Sequence, residues 1–183
     1  MSYDIAKNKA WAELSKFGLS KNASVKFLAD EYIVDLDKKE VFSLSCNVPA
    51  KDFTAILILH YLAQKLNGLA LVTGEWLTFR ELSGIEGYYA AFKKRSIDPI
   101  IRKYGLNPKA ISSLVKRFNG KLIEEADGGI ILEAFEGVPV MIKLWKADED
   151  FGPDANIFFD RSVTKIFCIE DVVVLAGIIA SQL

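Results

Sequence analysis

The stretch GIILEAFEGVPVMIKLW, residues 129–145, decides the fold class. It sets two apolar runs, Gly129–Phe135 and Val138–Trp145, on either side of the short link Glu136-Gly137. β-branched and aromatic runs of this length, joined by a Gly-containing turn, specify a β-hairpin. Upstream, residues 24–35 and 40–45 have the same character around the polar turn Asp35-Leu-Asp-Lys-Lys39, which predicts a second hairpin. Helical patterns lie between and around these strands. Residues 4–17 place Ile5, Trp11, Leu14 and Phe17 near one helical face, with Gly18 as the stop. Pro49 precedes a helix N-capped by Asp52 and stopped at Gly68, and its sequence FTAILILHYLAQKLNG is apolar nearly all round, as in a core helix. Residues 69–79 read as extended, interrupted at Thr73-Gly74. Tyr88–Lys103 reads as a helix kinked or restarted at Pro99. Asn107-Pro108 opens another helix that Gly120 ends, and a last apolar helix begins near Glu170, with acids in its first turn. Hairpins alternating with helices, without regular βαβ units, predict an α+β fold. The expected architecture is β-hairpins forming an antiparallel or mixed sheet against apolar helices, in one domain over residues 1–183.

Composition narrows the functional classes. The chain has 183 residues, 51% hydrophobic and 26% charged, enough for a substantial core. A formal net charge of −1 provides no global attraction to nucleic acid or acidic membranes, and no helix-turn-helix pattern is present. One His and two Cys, without CxxC or HExxH spacing, argue against a self-contained zinc or iron–sulfur site. Cys46 and Cys168 are expected as buried free thiols in a reducing cytoplasm. Residues 1–9 lack the apolar core of a signal peptide, and the runs 53–66 and 169–183 are too short to span a bilayer. A cytoplasmic protein without nucleic-acid or membrane partners is therefore expected. Charge is nonetheless uneven. Residues 88–121 carry nine Lys or Arg against the single acid Asp98, whereas 122–160 carry ten acids against two Lys. The two surfaces either attract each other within the fold or offer a basic face to an acidic protein partner.

Three places carry candidate chemistry. His60 has the one side chain whose ordinary titration lies near neutral pH. It sits on the apolar helix with Gln64 and Asn67 at helical spacing, as a core-edge histidine or as a base or ligand facing a cavity. The segment GEWLTFRELSG, residues 74–84, would as a strand put Trp76, Thr78 and Arg80 on one face and Glu75, Leu77, Phe79 and Glu81 on the other. An aromatic, a hydroxyl and a guanidinium in a row suit a planar or anionic ligand. Residues 147–161, ADEDFGPDANIFFDR, read as a long polar connection rich in acids and aromatics. Numbered as a calcium-binding EF-hand from Asp148, this stretch has Pro153 where Gly is needed and Phe159 where Glu is needed, so that reading fails. The roles left for Asp148, Asn156, Asp160 and Arg161 are ligand closure, an irregular cation site, or satisfaction of backbone amides and an internal ion pair. No GxxxxGK[ST], GxGxxG or GxSxG signature occurs.

The ordered segments LHYLAQ (59–64), GEWLTFREL (74–82), GYYAAFKKR (87–95), FEGVPV (135–140), ADEDFGPDANIFFD (147–160) and IEDVVVLAG (169–177) resemble the bacterial and archaeal family called domain of unknown function 3786. The resemblance covers nearly the whole chain and implies a setting in anaerobe-type metabolism. Some members carry an additional Cys-rich iron–sulfur segment that this chain lacks, so no iron–sulfur role carries over. The matching motifs point to His60, Tyr61, Trp76, Thr78, Phe79, Arg80, Glu81, Asp148, Asn156 and Asp160. Three functions are compatible with these residues. The leading one is a module binding a small molecule or cofactor of unspecified identity, with Trp76 and Phe79 framing a pocket, Arg80 engaging an anionic group, and residues 147–161 closing over it. The second is an accessory or assembly protein docking an acidic partner of a metalloenzyme through 88–121. The third is an enzyme pairing His60 with Asp148 or Asp160 in acid–base chemistry.

Overall fold

The periodic runs of the chain fold in two units, Met1–Ala70 and Leu71–Leu183, in a computed structural model that describes residues 3–20 and 22–183. The fold class is α+β, and both sheets are antiparallel. Among the described residues no helix is long and apolar enough to cross a membrane.

The first unit begins with α1 (Tyr3–Ser15), continues as the meander β1 (Ala23–Phe27), β2 (Asp30–Asp35), β3 (Glu40–Ser43) and β4 (Val48–Pro49), and closes with α2 (Asp52–Leu66). The hairpin expected around 35–39 forms, with Asp35 opposite Glu40 and the Asp35 Oδ1 accepting the Lys38 amide at 2.9 Å. Residues 24–35, however, are two strands. They fold back at Leu28-Ala29, where Leu28 holds a φ of +55°. Gly or Asn ordinarily marks such a turn, so a Leu there leaves no sequence signal. On α1, Trp11 and Leu14 are buried while Ile5 and Phe17 are exposed. At 3.6 residues per turn Ile5 lies about 180° from Leu14, and Phe17 falls beyond the last turn. The residue before α2 is Lys51, not Asp52, so Asp52 is the first helical residue and holds Lys7 of α1 at 2.9 Å. The apolar sequence of α2 is buried without a break from Thr54 to Leu59, and Gly68 ends the segment at a φ of +96°.

The second unit is built on the sheet β5 (Trp76–Thr78), β6 (Lys121–Leu122), β7 (Gly128–Phe135), β8 (Val138–Trp145) and β9 (Asp154–Asp160), in spatial order β5-β9-β8-β7-β6. The β7–β8 hairpin forms as the sequence predicts, with Phe135 opposite Val138 and Gly137 at a φ of +74°. One sheet face is closed by Ile130, Leu132, Val140, Ile142, Leu144, Ile157 and Phe159, each no more than 1% exposed. Residues 147–161 are not one long connection. The loop ends at Pro153, and 154–160 form β9 between β8 and β5. Alternation of Ala155, Ile157 and Phe159 inward explains the strand, and acids clustered just upstream mask it.

Helical structure surrounds this sheet. α3 (Tyr89–Phe92), a π-helical turn (Lys93–Ile97) and α4 (Asp98–Tyr104) run without interruption. The break anticipated at Pro99 takes the form of that π turn. Proline lacks the amide that would close the α ladder, and the Asp98 N–H instead donates to the Lys93 carbonyl five residues back. A 3-10 segment (Pro108–Leu114) and α5 (Val115–Phe118) replace the single helix expected after Asn107, and Asn119 rather than Gly120 takes the left-handed cap at a φ of +48°. Short α6 (Val163–Ile166) leads to α7 (Ile169–Gln182), which packs on α3, the π turn and α4. Both cysteines are free but exposed rather than buried. Cys46 closes a turn by donating its amide to Ser43 Oγ at 3.0 Å, and Cys168 is the residue before α7.

Candidate functional site

The site arises because β5 is three residues long. Thr78 forms a capping box with Glu81, its N–H and Oγ1 donating to Glu81 Oε2 at 2.7 and 2.8 Å. The chain therefore leaves the sheet edge as the 3-10 turn Phe79–Glu81, and Arg80 does not continue the strand face of Trp76 and Thr78. β9 runs on past that point. The Arg161 N–H donates to the Glu75 carbonyl at 2.8 Å, which sets the strand alternation so that the main-chain groups of residues 159, 157 and 155 face the β5 side. Pairing stops at Thr78 opposite Phe158, and the Ile157 N–H is accepted by Asn156 Oδ1 at 2.9 Å.

A cleft of about 290 Å³ occupies this open edge. Asp154, Ala155 and Asn156 form one wall, the helical segment contributes Tyr89, Phe92, Lys93 and Ile97, and Thr78, Phe79 and Arg80 complete the lining. Phe79 and Phe92 stack 4.0 Å apart at 7°, both 1% exposed, and make a rigid apolar base. The Arg80 guanidinium lies over the Tyr89 ring, 4.2 Å from its centroid. This cation–π contact restrains the guanidinium, and its N–H groups still serve as hydrogen-bond donors. Among the described residues neither Arg80 nor Asp154 has an opposite charge within ion-pair distance. Lys93 is paired with Asp98, whose hydrogen bond holds the ammonium above its usual pKa, with smaller support from Tyr89 and Asp154.

Four of the ligand candidates named from sequence, Thr78, Phe79, Arg80 and Asn156, thus meet in one cleft although Asn156 is remote in sequence. The others lie elsewhere. Trp76 is half-buried in β5 opposite Asp160 and does not line the cleft. Glu81 serves the capping box, which holds its carboxyl below the usual range. Asp160 is 1% exposed and accepts from the Thr73 amide at 3.0 Å, Thr73 Oγ1 at 3.1 Å, the Gly74 amide at 2.6 Å and the Ser162 amide at 2.9 Å. Burial raises this carboxyl, but the Ser162, Thr73 and Gly74 hydrogen bonds together outweigh it and hold the group at about 2. Arg161 forks onto Glu75, with Nη2 to Oε1 at 2.7 Å and Nε to Oε2. Asp148 accepts the Asp150 and Phe151 amides at 3.0 and 2.7 Å and shapes the exposed loop before β9. His60 is half-buried on α2 in the first unit. Among the described residues no group of three or more His, Cys, Asp and Glu is placed to hold a metal ion.

Tyr89, Lys93 and Ile97 were not singled out by sequence pattern, and Asp154 entered only through the acid spacing of the calcium reading that fails. Three of them were within reach, because Tyr89 and Lys93 sit in GYYAAFKKR and Asp154 in ADEDFGPDANIFFD. No curated protein and no solved structure matches the chain. A family match runs through residues of both units, from 9 to 182, and by it the protein belongs to the family described as Domain of unknown function (DUF3786).

Proposed function

We propose that this protein is a binding module for a small anionic molecule or cofactor, and that the cleft at the β5–β9 edge is its site. The observation that carries this reading is Arg80, a guanidinium lying over the Tyr89 ring in the lining of a polar cleft, without a carboxylate partner among the described residues. A guanidinium already restrained by an aromatic ring loses less freedom when an anion binds, and a bidentate contact adds directionality. Thr78 and Asn156 add neutral polar groups beside it. The family match across both units supports reading 1–183 as one functional domain. Free thiols at Cys46 and Cys168 suit a reducing cytoplasm, and the family resemblance suits anaerobe-type metabolism.

The test is native mass spectrometry on protein purified without oxygen from its own host, beside the Arg80→Ala variant. A retained mass that the variant loses supports the reading, with affinity reduced about 10- to 100-fold, the range for one charge-assisted bidentate contact. An adduct that survives the substitution refutes it as a site at Arg80. A second reading, docking of an acidic protein partner, draws on exposed Lys94, Arg95, Lys109 and Lys116, none with an ion-pair partner among the described residues. Partner association that weakens steeply with salt supports it, and salt-insensitive association refutes it.

A further inference from the structure

We infer that the cleft selects a zwitterion, a small molecule whose carboxylate and ammonium are separated by a short apolar stem. This deepens the anion-binding reading above and rests on it. The cleft presents two charges of opposite sign that form no ion pair among the described residues. Arg80 stands on the Tyr89 side and Asp154 on the β9 wall, while Lys93 is already neutralised by Asp98. A simple anion seated on Arg80 leaves Asp154 without an ion pair and adds a like charge to the same cleft. A simple cation seated on Asp154 leaves Arg80 in the same position. A ligand bearing both groups satisfies each wall, and every mismatched ligand meets a repulsive term.

The rest of the lining agrees. The lining also holds the buried Phe92 ring and Ile97, which offer contact to methylene groups rather than further hydrogen bonds. A volume of about 290 Å³ lies at the foot of the usual range for ligand pockets, roughly 300–1,000 Å³, and fits a molecule of amino-acid size better than a nucleotide. Asp154 begins β9 at its pairing with Trp145, so the sheet sets its backbone position.

The inference is tested by titration calorimetry of the full chain with matched probes, 4-aminobutyrate and 6-aminohexanoate against butyrate and hexanoate. The amino compounds are expected to bind at least about tenfold more tightly than their deaminated counterparts. Asp154→Asn should erase that preference, and Arg80→Ala should weaken both series. Both residues are exposed at the surface, so neither variant removes core packing. Equal or tighter binding of hexanoate, or a preference that survives Asp154→Asn, overturns the zwitterion inference. If Arg80→Ala still weakens hexanoate in that case, the anion-binding reading stands. An Arg80→Ala variant that binds both series like the parent overturns the reading as well. Failure of all four probes to bind overturns the zwitterion inference, and the native adduct then decides the broader reading.

Discussion

Replacing Asp160 with Asn is expected to destabilise the second unit by about 2–4 kcal/mol at neutral pH. Asp160 is 1% exposed, and its carboxylate ties the irregular Thr73-Gly74 segment and the start of the β9–α6 turn to the end of β9. Depression of its pKa from 3.8 to about 2 corresponds to about 2.5 kcal/mol of preference for the ionised form in the folded protein. An Asn keeps one acceptor oxygen but turns an NH2 group toward donors that need an acceptor, which adds the cost of an unmade buried hydrogen bond. The sign of the pH effect follows from the depressed pKa. The Asp160 contribution is complete above about pH 4 and is lost as pH falls through about 2, because the unfolded chain then binds a proton the folded chain resists. Urea unfolding between pH 2 and 7 measures both effects. A variant within about 0.5 kcal/mol of the parent at pH 7, or one with an unchanged acid limb, would show that the amide cage does not hold this segment.

Further consequences follow from other contacts. Gly120 approaches the sheet so closely that an added Cβ would meet Ile130 Cδ1 and the Ile131 carbonyl oxygen, each at 2.8 Å; Gly120→Ala should lower stability by about 1–3 kcal/mol, read as a shift of the urea midpoint, and a neutral result would refute the close approach. Glu81→Ala removes the capping box that turns the chain off the sheet edge. It should weaken binding of the native adduct while far-UV circular dichroism stays near that of the parent, and unchanged binding would separate the turn from the site. Although the residue as a whole is exposed, desolvation of the thiol and the neighbouring Asp171 carboxylate, to which the thiol donates at 3.2 Å, push Cys168 up to about 12, so it should react with a thiol reagent at neutral pH far more slowly than free cysteine. Equal rates would refute that environment.

The sequence alone determined the strongly periodic parts of this protein. The β7–β8 hairpin, the core helix α2, the closing helix α7 and the α+β class are each written in local alternation or in unbroken apolar runs, signals that depend on neighbours a few residues away. Thr78, Phe79, Arg80 and Asn156 were legible as candidates from their chemistry. What they do together was not. The turn at Leu28 lacks the residue that usually marks it, and β9 was hidden by the acids before it. The cleft brings Arg80, Tyr89 and Asp154 into one lining, although Asp154 lies far along the chain and joins through strand pairing. Asp160 and Arg161 had two roles open in sequence, ligand or scaffold, and the fold gives them Thr73, Gly74 and Glu75 as partners. Register and long-range pairing place these groups, and neither leaves a local trace, because a strand's apolar pattern says which face is buried and not which strand lies beside it.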